Sequence, residues 1–156
     1  METLEGRPVG EDRRIGIVCS RFNDDVTSKL LAGAVQALTR AGVEDESIVV
    51  VRVPGAVELP LAASRLAREN EFDAIVALGA VIRGETDHYD HVCRAAQEGL
   101  LHVSLEEDLP VMFGVVTCDT EEQALARAGG EHGNKGADVA LDALRMADLL
   151  EQIGEL

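Results

Sequence analysis

Four short runs of β-branched and aliphatic residues, each followed by apolar residues at helical spacing, restrict this chain more than any other feature. The runs are RIGIVCS at 14–20, SIVVVRV at 47–53, DAIVAL at 73–78 and VMFGVVT at 111–117. None alternates polar with apolar, so each reads as a strand buried on both faces. The segments between them are helical. Leu30, Leu31, Ala34, Leu38 and Ala41 share one face, and Leu59, Ala62, Ala63 and Leu66 another. Val92, Ala96, Leu100 and Val103 mark a third helix to about Glu106, and Val139, Ala143, Leu144, Ala147 and Leu150 a last one. Between these two, Asp119 or Thr120 is placed to cap a short helix that ends near Gly129 and Gly130, and a polar loop, EHGNKG at 131–136, follows. Strand and helix in strict alternation predict a parallel sheet with right-handed crossovers, a three-layer α/β/α sandwich on four strands. Residues 1–12 hold Pro8 and read as a polar arm able to extend a neighbouring subunit's sheet, and residues 13–156 read as a single domain.

Composition narrows the class. Hydrophobic residues make up 46 % of the 156, enough for one folded core, but aromatics only 3 %, so that core is aliphatic. A net charge of −15 opposes binding to nucleic acid or to an anionic membrane surface, and no nucleic-acid or membrane partner is expected. Cys19, Cys93 and Cys118 form no CxxC pair, which suits reduced thiols in the cytoplasm. The N-terminus has no apolar core of a signal peptide, and no apolar run approaches the ~18 residues of a membrane span.

Parallel alternation also locates the chemistry, because every strand-to-helix turn then opens on one edge of the sheet, where ligands bind. Four loops converge there. The first brings Phe22, a ring in a polar turn of a chain poor in aromatics and a plausible platform for a planar heterocycle. The second brings Glu58, whose place at a helix start also suits a dipole interaction. The third, GAVIRGETDHYDHV at 79–92, carries Gly84, Glu85, Thr86 and His88: a helix N-terminus with free N–H groups for an anion, beside an imidazole, a side chain suited to moving protons. The fourth spans 117–120. His88 and His91 share a helical face, but no HExxH is present, and no metal site is expected. Arg127 and Lys135 fall late in the chain, and nothing in the alternation brings them to these loops.

Taken together, SRFN at 20–23, VPGAVELP at 53–60, GAVIRGETDHYD at 79–90, FGVVT at 113–117, the segment from Glu122 to Gly129 and GNKG at 133–136 resemble the 6,7-dimethyl-8-ribityllumazine synthase family. The likeness runs from Glu5 to about Leu150, in order and at the family's spacing. It implies a flavodoxin-like sheet and a condensation of 5-amino-6-(D-ribitylamino)uracil with 3,4-dihydroxy-2-butanone 4-phosphate, the penultimate step of riboflavin biosynthesis, without metal or organic cofactor. By the same resemblance Phe22 stacks on the pyrimidine, and Asn23, Ala56, Val57, Glu58, Ala80, Val81 and Ile82 line the aminouracil pocket. Glu85 and Thr86 bind the phosphate and His88 moves protons. Phe113, Arg127 and Lys135 come from the adjacent subunit, Arg127 onto the phosphate.

Two positions depart from commoner family residues. Glu85 stands where a small residue is frequent, so its carboxylate is expected to turn outward while its N–H binds. Val57 replaces a larger residue and is expected to loosen the pocket wall without removing activity. The family resemblance further implies a homo-oligomer, a pentamer packed into an icosahedral shell, with riboflavin synthase as a further partner. The alternative is a shell that binds flavin or lumazine without catalysis; the presence of both His88 and Arg127 weighs against it. A nucleotide-binding module is disfavoured by the absence of GxGxxG and GxxxxGK.

Overall fold

The computed structural model describes residues Met1–Leu156. Its four long strands are β1 (Ile15–Ser20), β2 (Ile48–Val53), β3 (Ala74–Ile82) and β4 (Val111–Cys118). All pair in parallel, in the order β2-β1-β3-β4. Helices α1 (Asp24–Arg40), α2 (Leu59–Ala67), α3 (His88–Glu107), α4 (Glu121–Ala126) and α5 (Lys135–Gly154) cover both faces, and a small antiparallel hairpin, β5 (Ala128–Gly130) and β6 (Gly133–Asn134), joins α4 to α5. This is the three-layer, flavodoxin-like arrangement.

The period-2 geometry of each strand divides the core in two. Ile15, Ile17 and Cys19 of β1, with Val76 and Leu78 of β3, face α1 and α5. Val18, Ile75, Ala77 and Val81 face α2 and α3. Ile17, Leu30, Leu38 and Leu144 are fully buried, and each stabilises the fold by about 1.5–3 kcal/mol. Two glycines permit helix contacts this close. A Cβ at Gly136 would lie 2.0 Å from the Leu30 carbonyl oxygen, so only glycine lets α5 start against α1. A Cβ at Gly99 would lie 2.6 Å from the Pro60 ring, where α3 crosses α2.

Several boundaries differ from those read in the sequence. β3 does not stop at Leu78. It continues through Gly79, Ala80, Val81 and Ile82, because these residues keep pairing with Val115 to Cys118 of β4. The turn beyond it is correspondingly short. The 131–136 segment is not a plain loop. Asn134 caps α5, accepting from the Ala137 N–H at 3.1 Å while its own amide donates to the Lys29 carbonyl at 3.0 Å. Thr120 caps α4 in a reciprocal box with Gln123, and the helix ends at Ala126.

The N-terminal arm forms no strand. It lies along its own α5: the Asp148 carboxylate accepts from the Arg7 N–H at 2.9 Å, Gln152 Nε2 donates to the Glu5 carbonyl at 3.0 Å, and the Gly10 N–H reaches Ala41 at the end of α1 at 2.9 Å. No helix is long and apolar enough to cross a membrane. All three cysteines are free thiols.

Candidate active site

The strand order reverses direction between β1 and β3, since β2 lies on one side of β1 and β3 on the other. At their carboxyl ends opens a cleft of about 600 Å³. Each wall follows from a local device. After β1, the Arg21 N–H donates to the Val53 carbonyl (2.8 Å) and the Phe22 N–H to the Pro54 carbonyl (3.0 Å), so the turn is sewn to the end of β2. Asn23 then adopts a left-handed conformation (φ 60°, ψ 50°) that asparagine tolerates better than most residues. Its side chain does not cap α1. Instead Nδ2 donates to the Ala80 carbonyl at 2.9 Å, tying the turn to β3. Between these ties the Phe22 ring stands 71 % exposed at the rim of the cleft.

The second wall is a single 3-10 turn, Ala56–Glu58, that leads into α2 with Pro60 in its first turn. Ala56 is buried, whereas Val57 and Glu58 face solvent at the cleft. No group of the chain bonds the Glu58 carboxylate, which is left free to accept from a ligand's hydroxyl or N–H. The floor is the end of β3: Ala80, Val81 and Ile82.

The third wall is the turn from β3 into α3. Gly84, Thr86 and His88 line it, while Glu85 is exposed and outside the lining. The N–H groups of Gly84, Glu85 and Thr86 meet no acceptor within the chain, an arrangement suited to an anion at the start of a long helix. The Thr86 hydroxyl accepts from the His88 N–H at 3.3 Å, so its own proton is free to point outward. His88 is the first residue of α3, and its exposed imidazole has no partner in the chain.

Tyr89 and Val92 also line the cleft, on the first turn of α3, and sequence reasoning had not assigned either to the site. Spacing offers a partial signal for Val92 alone, four residues beyond His88 on one helical face, and none for Tyr89. The Tyr89 phenol is pushed up from its ordinary value, chiefly by burial, with the Thr117 hydroxyl acting against the shift. Burial likewise pushes up the Cys93 thiol next to it. A shallower depression of about 730 Å³ also touches Phe22. It holds the solvated Arg52–Asp24 ion pair (2.6 Å) and forms no enclosed site.

Besides Glu85, three further residues of the sequence-based site, Phe113, Arg127 and Lys135, are not in this cleft. Phe113 sits near the start of β4, opposite Ala77, and packs half-buried on the α2/α3 side. Arg127 and Lys135 stand at the β5–β6 hairpin, where the Lys135 N–H donates to the Arg127 carbonyl at 2.8 Å. Both are exposed, and neither pairs with a carboxylate of its own chain. Arg127 Nη1 donates only to the Gln123 carbonyl, at 3.0 Å. No three His, Cys, Asp or Glu side chains are grouped to hold a metal ion.

An aromatic platform, a free carboxylate, an imidazole and unpartnered N–H groups at the switch point of a doubly wound sheet define a small-molecule enzyme of the α/β/α class. Comparison with known proteins makes this specific. Residues 12–151 match the family model of 6,7-dimethyl-8-ribityllumazine synthase. A protein of Desulfatibacillum aliphaticivorans named 6,7-dimethyl-8-ribityllumazine synthase is 52 % identical over 149 residues, which cover 96 % of each chain. The chain belongs to the 6,7-dimethyl-8-ribityllumazine synthase family. It is a transferase of riboflavin biosynthesis that forms 6,7-dimethyl-8-ribityllumazine, and the non-catalytic alternative is not favoured.

Proposed function

We propose that both substrates meet in the β1/β3 cleft and that one chain supplies only half of the working site. The observation that carries this reading is electrostatic. One substrate is a phosphate ester, yet no Lys or Arg lines the cleft. Arg127 and Lys135, two cations without a carboxylate partner, stand exposed elsewhere on the surface. A second copy that brings its Phe113, Arg127 and Lys135 to the rim would supply the missing charge. Exposed Leu61, Leu101 and Leu105 on α2 and α3 (69 %, 59 % and 75 %) are apolar surface for such an assembly to cover.

In this reading Phe22 stacks on the pyrimidine. The ribityl chain runs past Asn23 and along the 56–58 turn, with the Glu58 carboxylate accepting from its hydroxyls. The backbone of Ala80, Val81 and Ile82 holds the ring. The phosphate rests on the N–H groups of Glu85 and Thr86 and on the Thr86 hydroxyl, against the partner copy's Arg127. The amine of the aminouracil then attacks the ketone, a Schiff base forms with loss of one water, phosphate departs, and the ring closes with loss of a second water. Each step moves a proton that the His88 imidazole can relay. Holding two substrates together supplies acceleration through proximity, and Arg127 stabilises the departing phosphate. No cofactor enters this scheme.

The same reading makes the chain a single domain (13–156) with an arm (1–12) that would leave its seat on α5 to join a neighbouring sheet on assembly. It sets the assembly as a pentamer packed into an icosahedral shell, in a reducing cytoplasm that suits the free thiols. Riboflavin synthase would consume the product. The test is Arg127→Ala with both substrates, following the lumazine chromophore. The KM for the phosphorylated substrate should rise about tenfold or more, with the aminouracil KM little changed. Unaltered kinetics would remove Arg127 from the site.

A further inference from the structure

We infer that Arg83 is a positioning residue for the turn that takes the phosphate; this rests on the assignment of that turn to the anion. The turn has little scaffold of its own. Gly84 to Thr86 are exposed, and space around Gly84 is so open that a Cβ there would meet no atom within 4 Å. On its helix side the turn is held by the Thr86–His88 hydrogen bond. On its strand side it is held by Arg83 alone.

Arg83 makes that anchor with both backbone and side chain. Its N–H donates to the Cys118 carbonyl at 2.9 Å, prolonging the β3–β4 ladder by one residue. Its Nε donates to Asp119 Oδ1 at 2.9 Å, and Nη1 lies 3.8 Å from Asp90 Oδ1. The guanidinium also sits over the Tyr89 ring, 4.2 Å from its centroid, and Tyr89 lines the cleft. One side chain therefore ties the end of β3, the end of β4 and the first turn of α3 together, with the anion-binding turn strung between two of them.

The geometry points away from a role in global stability. The Arg83 side chain is 45 % exposed and its two carboxylate partners more so, and solvated pairs of this kind contribute little to folding. The effect is local and has two parts. The clamp orders a turn whose N–H groups must converge on one anion. The positive charge also offsets Asp90 and Asp119, which would otherwise stand as two bare carboxylates beside a turn that takes a dianion. Lysine would keep the charge but lose the planar fork and much of the stacking on Tyr89.

The test is steady-state kinetics with thermal unfolding on the full-length assembled protein, for Arg83→Met, Arg83→Lys and, as a control on the site, Thr86→Ala. Arg83→Met should raise the KM for 3,4-dihydroxy-2-butanone 4-phosphate about tenfold, lower kcat less, and leave the aminouracil KM within about twofold. Arg83→Lys should fall between wild type and Arg83→Met, and Tm should stay within a few degrees in all variants. If Thr86→Ala raises the phosphate-ester KM and Arg83→Met does not, the clamp is overturned and the site stands. A Thr86→Ala variant with unchanged kinetics overturns both. Equal loss for both substrates accompanied by a large fall in Tm would make Arg83 merely structural.

Discussion

His88 carries the clearest single-residue prediction because almost nothing else in the chain uses it. Its side chain makes no hydrogen bond within the chain, and the imidazole is exposed at the mouth of the cleft. His88→Ala should therefore lower kcat about a hundredfold, the usual loss when a positioned acid–base group goes, with KM values and assembly size little changed. Chromophore formation and sedimentation measure the two. A variant that turns over at the wild-type rate would show that solvent moves the protons. His88, Phe22 and Glu58 were legible in the sequence because each follows a buried strand, and parallel alternation sends all such turns to one edge. Tyr89 and Val92 were not, since apolar positions on a helix read as core. Only the placement of α3's first turn beside the ends of β1 and β3 gives them to the cleft. The role of Asn23 was hidden for another reason: a polar residue before a helix reads as a cap, and its reach to the Ala80 carbonyl depends on a left-handed backbone that spacing does not reveal.

At the scale of elements, strands were legible as unbroken apolar runs and helices by the period that burial on one face imposes, and their ends were not. β3 outruns its apparent end because pairing with β4, a long-range contact, keeps Gly79 to Ile82 in the sheet. The arm is the larger difference. Read as a polar arm able to extend a neighbouring subunit's sheet, it lies in the single chain along α5, held through Asp148. The N–H of Arg7, foremost, and the Arg7 and Gln152 side chains hold that carboxyl below its ordinary 3.8. A carboxyl whose folded pKa is lowered stabilises docking above the unfolded value and loses this as pH falls through the folded one. The latch should thus be complete at neutral pH and fail only in acid, below about pH 4. Asp148→Asn should loosen it already at pH 7, so that limited proteolysis within residues 5–10 runs several-fold faster than in wild type. Equal rates at pH 7 would mean that the Gly10–Ala41 hydrogen bond and the close seat of Gly6 against the Arg145 carbonyl of α5, rather than the carboxylate, hold the arm.

At the scale of the whole molecule the question is where one site ends and the next subunit begins. The family resemblance assigns Phe113, Arg127 and Lys135 to the site, yet one chain does not bring them to its own cleft. No reading of a single chain's strand order can show what a second copy contributes. Complementation decides it. His88→Ala and Arg127→Ala chains are each slow alone, but a shared site takes the imidazole from one subunit and the guanidinium from the next. If the two variants are dissociated, mixed in equal amounts and allowed to reassemble, about a quarter of the sites would hold an intact pair by random draw. The mixture should recover activity on that order, far above the mean of its parents, while an unmixed blend of the two assemblies should not. Recovery would place the boundary of the site between copies and explain why a chain of net charge −15 leaves its phosphate pocket without a cation of its own. Activity fixed at the parental mean after proven subunit exchange would put His88 and Arg127 to work within one chain, and would require the β5–β6 hairpin to move from its seat on α1 to the cleft.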